Sequence, residues 1–254
     1  MKETPSDSFI PPVRFFSLTF ILSWLVWIPL MLSHLGIGPF HIPEEISGIV
    51  RLLGVLMPAV SAMILTARSG GTRGLRNLWK RLLLWRVNWR WWLAAVLGQP
   101  VLLVLTAILF NAFSGSVKIA AGKLTLVELL INAVFLLIAT LGEEIGWRGA
   151  ALPGLQARYS PLKSSLILGV ACAVWHLPFW LLLDTFDQFG ILYLLLNFVF
   201  VLPLTFYVTW FFNRSHQSIL LPVMFHLTFN LVNTALLPVT MDIPVPRYPP
   251  LHEL

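Results

Sequence analysis

Three stretches of the chain contain no Asp, Glu, Lys or Arg and are long enough to cross a membrane. They are Phe15–Leu35, Trp91–Phe113 and Phe189–Phe212. A helix rises about 1.5 Å per residue, so about 20 apolar residues span a hydrocarbon core of about 30 Å. Each stretch is therefore predicted to be a transmembrane helix.

Four further apolar segments have lengths compatible with spanning: Ile46–Ala67, Leu124–Leu141, Leu166–Leu183 and Ile219–Val239. Together the segments predict an all-α integral membrane protein, a polytopic bundle of about seven transmembrane helices. Because we find neither an internal repeat nor a long Gly/Ser linker, residues 1–254 are predicted to form a single membrane domain.

The composition agrees with this fold class and excludes a soluble domain. Hydrophobic residues make up 57% of the 254 residues and charged residues only 11%, whereas a typical soluble domain is about 25% charged. Such a chain has more apolar surface than one aqueous core could bury.

The net charge of +6 comes mainly from connections between helices. The segment 68–90 carries seven basic residues and no acid, which predicts a cytoplasmic loop by the positive-inside rule. Alternation from this loop predicts a cytoplasmic N-terminus and an external C-terminus. Because the basic residues lie mainly in connections between membrane spans, membrane lipids are expected partners and nucleic acid is not.

Polar residues interrupt the apolar pattern first at Glu143, Glu144 and Arg148. On a helix Glu144 and Arg148 are four residues apart and can form an ion pair, while Glu143 points about 100° away. Glu143 is therefore a candidate general base. The alternative is a charge cluster that caps the end of the helix at the membrane surface.

Two predicted spans carry further polar side chains, His176 in one and His226 with Asn230 in the other. Because His226 and Asn230 are four residues apart, both face one side of a helix and can address one ligand. A lone intramembrane histidine is often only a hydrogen-bonding contact between helices. Since the predicted orientation places Glu143, His176 and His226 near the same depth, we expect one intramembrane catalytic cavity that activates water.

The three motifs resemble those of the CAAX prenyl protease and bacteriocin-processing family, also called Rce1-like, ABI or CPBP intramembrane proteases. That family carries EExxxR, FxxxH and HxxxN. Glu143, Glu144 and Arg148 match the first motif, and His226 with Asn230 match the third. The second is partial, because Cys172 stands where the family has Phe. The resemblance covers residues 124–237, the expected catalytic core.

This resemblance implies an intramembrane endopeptidase with a peptide or protein substrate. Glu143 and His176 would bind and activate a water, and His226 with Asn230 would hold the oxyanion. Glu144 and Arg148 would have supporting roles. A substrate could be lipidated, as in a prenylated CAAX tail, or related to a bacteriocin. A bacterial or archaeal cell membrane is the expected location.

The dependence on a metal stays open at this point. Glu143, His176 and His226 could provide three ligands for a divalent metal such as zinc and leave a fourth position for water. The chain has no His-Glu-x-x-His segment, and we favour a mechanism that requires no cofactor.

Two other classes of function remain compatible with the sequence. A non-catalytic immunity or scaffold protein would use the same polar residues structurally. A proton-coupled carrier would also place Glu and His within the membrane.

Overall fold

The computed structural model describes residues 9–114, 117–119, 124–182, 190–233 and 239–241. Both chain ends lie outside the described residues. Parts of three predicted spans also lie outside the described residues. These are residue 183 of Leu166–Leu183, residue 189 of Phe189–Phe212 and residues 234–238 of Ile219–Val239.

Helices form almost all of the described structure. In chain order the elements are α1 (Pro12–His34), α2 (Glu44–Leu82), α3 (Trp89–Ser114), β1 (Val117–Ile119), α4 (Leu126–Gly146), a π-helical turn (Trp147–Ala151), α5 (Leu152–Gln156), α6 (Pro161–Trp175), α7 (Leu177–Trp180), α8 (Ile191–Arg214), α9 (Leu220–Leu231) and β2 (Val239–Met241). The two short strands pair antiparallel, with Lys118 opposite Thr240. This pair is a small addition to the predicted all-α fold.

Five of these helices are long and apolar enough to cross a membrane, namely α1, α2, α3, α8 and α4 with its continuation to Gln156. The helices α6 and α9 are apolar but shorter. The prediction of a polytopic helical membrane protein is confirmed. The number of seven spans and the orientation of the two termini stay predictions.

The apolar segment Leu166–Leu183 does not form one continuous helix. α6 ends at Trp175, and α7 begins at Leu177 after His176, which caps α6 with φ −74° and ψ −11°. Pro178 explains part of this break, because proline has no N–H to donate to the carbonyl four residues earlier. His176 therefore stands at a helix end rather than within a helix.

The basic segment 68–90 is mostly helical, so the prediction of a loop is wrong for its first part. α2 continues to Leu82, with a kink at Gly71 where φ is 55°. After the kink Leu78 and Leu82 are buried, while Arg76 and Lys80 are exposed. This spacing of apolar residues fits one face of a helix, and the high density of basic residues concealed it.

An aromatic cluster lies behind the end of α4. Trp147 packs edge-on against Trp175, with ring centroids 5.3 Å apart, and against Phe15 at 5.6 Å. Trp175 also packs on Trp27 at 4.7 Å. All four side chains are almost fully buried. The cluster therefore joins α1, the π-helical turn and α6 in one core.

α4 packs closely against α2 because glycines line the contact. A Cβ atom at Gly142 would lie 2.8 Å from the carbonyl oxygen of Val55, and one at Gly146 would lie 2.7 Å from the carbonyl carbon of Pro58. Real side chains do not tolerate such distances to backbone atoms. The glycines thus set the spacing of the helix that carries Glu143 and Glu144.

We expect Gly146→Ala to destabilise the protein by about 1–3 kcal/mol, since the added methyl group would overlap the backbone at Pro58. Thermal unfolding in detergent measures the change. Gly48→Ala is the matched control, because nothing lies within 4 Å of a Cβ at this helical position. Equal melting temperatures for the two variants would contradict the close contact.

Candidate active site

The end of α4 brings two acids and an arginine into the protein interior. The helix begins with a capping box, in which Thr125 accepts a hydrogen bond from the backbone N–H of Glu128. Its first half exposes apolar side chains, whereas every residue from Gly142 to Leu155 is buried. The three charged side chains there are 8%, 2% and 6% exposed for Glu143, Glu144 and Arg148.

Glu144 is held by two partners at one carboxylate oxygen. Arg148 Nη1 donates to its Oε1 at 3.0 Å, as the spacing of four residues predicted. His226 Nδ1 lies 3.0 Å from the same oxygen. The contact links α4 to α9 and makes Glu144 the partner that orients His226, a role that the sequence did not indicate.

The contact with Glu144 indicates which ring nitrogen of His226 carries a proton. Because Arg148 contacts the same oxygen, Glu144 is ionised and accepts, so Nδ1 of His226 carries a proton. A second proton, on Nε2, would make His226 an imidazolium that faces the Glu144 carboxylate. Nε2 of His226 would then also be a hydrogen-bond donor.

His176 has the opposite arrangement of protons. Its Nδ1 lies 2.8 Å from the carbonyl oxygen of Cys172, which can only accept, so Nδ1 carries the proton. In the neutral ring Nε2 is then an acceptor. It faces Oε2 of Glu143 at 3.8 Å.

The gap between Glu143 and His176 suits a water molecule. Two acceptors do not hydrogen-bond to each other, and 3.8 Å is too long for a direct bond. A water between them can donate one proton to the carboxylate and one to Nε2. The two side chains are 10% and 20% exposed, so the site is nearly enclosed.

Asn230 lies on α9 one turn beyond His226 and is partly buried. The structure therefore places the two residues on one face of one helix, as predicted. His226 joins this face to the end of α4 through Glu144.

The sequence reasoning missed two tryptophans that contact the site. The indole N–H of Trp147 donates to Oε2 of Glu143 at 3.4 Å. The ring of Trp180 stacks on His176, with centroids 5.2 Å apart and planes inclined by 10°. Each tryptophan lies four residues after the residue that it contacts, and helical spacing could have indicated both.

The departure from the family pattern at Cys172 affects only a side chain. The contact that orients His176 is made by the main-chain carbonyl of residue 172. The Cys172 side chain is buried in the core among apolar residues. A substitution there leaves this hydrogen bond available.

Within the described residues, no three His, Cys, Asp or Glu side chains form a group that could hold a metal ion. The ligand set considered from the sequence, Glu143, His176 and His226, is therefore not arranged as one metal site in this structure. Two of these residues face each other, and the third turns its Nδ1 toward Glu144.

The fold and the site define a helical membrane protein with carboxylate, imidazole and guanidinium groups in its interior. Residues 123–232 match the family model described as type II CAAX prenyl endopeptidase Rce1-like. The chain is also 29% identical to CAAX prenyl protease 2 of Methanococcus maripaludis over 240 residues, which cover 91% of this chain and 86% of that protein. These findings confirm the resemblance of the chain to the Rce1-like family of CAAX prenyl endopeptidases.

We expect Arg148→Met to destabilise the protein by about 3–5 kcal/mol, because it leaves Glu144 as a buried carboxylate without its guanidinium partner. The double variant Arg148→Met with Glu144→Gln should recover part of this loss, since the unpaired charge is then absent. Melting temperatures of both variants in detergent provide the measurement. If the double variant is no more stable than the single one, the ion pair is not the source of the loss.

Proposed function

We propose that this protein hydrolyses a peptide bond by activating a water between Glu143 and His176, without a covalent enzyme intermediate. The observation that carries the proposal is the 3.8 Å separation between Oε2 of Glu143 and Nε2 of His176. The Nδ1–H of His176 donates to the carbonyl of Cys172, which leaves Nε2 as an acceptor. That arrangement fits a bound water better than a direct contact between the two residues.

In the first step the bound water attacks the carbonyl carbon of the scissile bond. Glu143 takes one water proton as general base, while His176 Nε2 accepts a hydrogen bond from the other water O–H and orients the attack. The indole of Trp147 keeps the carboxylate in position. A positioned general base typically contributes about 10² to 10⁴ in rate.

The tetrahedral intermediate carries a negative charge on the former carbonyl oxygen. His226, protonated beside Glu144, donates from Nε2 to this oxyanion, and the amide of Asn230 donates from the next turn of α9. Glu143 then passes its proton to the leaving nitrogen as the C–N bond breaks. One oxyanion donor is worth about 10² to 10³ in rate.

We further propose that the substrate is a lipidated peptide, most simply a prenylated CAAX tail. Support comes from the description of the matched family and the name of the similar archaeal protein, both of which specify CAAX prenyl substrates. A buried site within apolar helices also suits a peptide that is anchored in the membrane. A bacteriocin-related peptide is the second substrate to test.

Purified protein should cleave a farnesylated CAAX reporter, and Glu143→Gln and His176→Ala should each lower kcat by at least about 10² because the water loses its base or its orientation. Glu128→Gln is the matched control, since Glu128 is an exposed acid on the same helix. Product analysis by mass spectrometry measures the rates and locates the cut bond.

Full cleavage by Glu143→Gln would refute the proposed mechanism. If folded wild-type protein cuts neither the CAAX reporter nor a library of membrane peptides, the non-catalytic role is favoured. Solute flux that depends on Glu143, with all peptides intact, would instead identify a carrier.

The proposed reaction needs no metal ion. We therefore expect the cleavage rate to remain within about twofold after treatment with a strong chelator. A larger loss that added zinc restores would contradict the metal-free mechanism and would make Glu143, His176 and His226 candidates for its ligands.

A further inference from the structure

The π-helical turn after α4 leaves two backbone carbonyl groups, those of Arg148 and Gly149, without the usual α-helical donor four residues later. Pro153 has no N–H, so it cannot donate to the carbonyl of Gly149 four residues earlier or to that of Arg148 five residues earlier. Leu152, the other near donor, already bonds to the carbonyl of Trp147. Buried carbonyl groups of this kind need partners from elsewhere.

Arg81, near the end of α2, provides those partners. Its Nη1 donates to the carbonyl of Gly149 at 3.0 Å, and its Nη2 donates to the carbonyl of Arg148 at 2.8 Å. The planar guanidinium group can satisfy two acceptors at once in a fixed geometry. One side chain therefore completes the hydrogen bonding of the turn that carries Arg148.

The same arginine also contacts the segment that leads into α9. Its Nε donates to the carbonyl of Gln217 at 3.3 Å, and its own carbonyl accepts from the backbone N–H of Ile219 at 3.0 Å. Gln217 has φ 60°, a left-handed conformation that few residues adopt readily. Arg81 thus holds an unusual turn at the start of the helix that carries His226.

Each of these two sets of contacts holds a segment that carries one of the partners of Glu144. Arg148 and His226 are its two partners at Oε1, and they come from different parts of the chain. We propose that Arg81 is a positioning residue for the hydrolytic site, which fixes the π-helical turn and the start of α9 relative to each other. It acts on catalysis through Arg148 and His226. This inference rests on the proposed function.

Arg81→Met is the direct test, because it keeps the apolar stem and removes all the guanidinium donors. We expect kcat for the farnesylated reporter, per amount of folded enzyme, to fall at least tenfold, with KM within about twofold. Arg76→Met is the matched control, since Arg76 is exposed on the same helix, and it should retain wild-type kcat. Arg81→Lys should lie between these values, because one ammonium group cannot reproduce the planar fork.

Chemical rescue separates positioning from a general loss of stability. In Arg81→Ala, millimolar methylguanidinium should raise kcat at least threefold by occupying the vacated site, whereas methylammonium and urea should not. If Arg81→Met destabilises the protein too far for purification, Arg81→Lys carries the comparison of kcat. Wild-type kcat in Arg81→Met, or a folded Arg81→Ala that methylguanidinium does not rescue, overturns the inference.

Wild type and Glu143→Gln in the same assay keep the two proposals apart. No cleavage by wild type counts against the proposed function. Cleavage by wild type and loss in Glu143→Gln, with normal kcat in Arg81→Met, counts against the role of Arg81 alone.

Discussion

The site depends on the burial of Glu144 between Arg148 and His226. A carboxylate that leaves water for a low-dielectric interior loses several kcal/mol of solvation, and only close partners compensate for this. Both partners lie 3.0 Å from the same oxygen. Because Arg148 lies in the π-helical turn after α4 and His226 lies on α9, this single side chain links two distant segments of the chain.

Two side chains of the site, Arg148 and His176, lie at interruptions of regular helix. The α-helix gives way to a π-helical turn at Trp147, which carries Arg148, and α6 ends just before His176. Regular helices satisfy their own backbone and present side chains at fixed intervals. Where the pattern breaks, backbone groups require other donors and a side chain can turn toward a neighbouring helix. The two acids lie in α4, however, and His226 with Asn230 lies in α9, so regular helices and their interruptions both contribute side chains to the site.

Much of the fold was predictable because membrane spans appear in the sequence as long apolar stretches with few charged residues. The pairing of Glu144 with Arg148 was also predictable, since helical spacing defines it. The contact between Glu144 and His226 was not, because it joins residues 82 positions apart. The helix in segment 68–90 was hidden by its basic residues, although Leu78 and Leu82 mark its buried face. The break at His176 lies within a continuous apolar run, in which Pro178 was a local signal for it.

The hydrogen bond from His176 to the carbonyl of residue 172 has a consequence for how related proteins are detected. Every amino acid offers the same main-chain carbonyl, so the imidazole tautomer is specified by helical geometry and not by the identity of its partner. A search pattern that requires Phe at this position would overlook a chain such as this one, in which the hydrogen bond to His176 is present. In this chain His176 stands at the end of α6, and Pro178 follows two residues later.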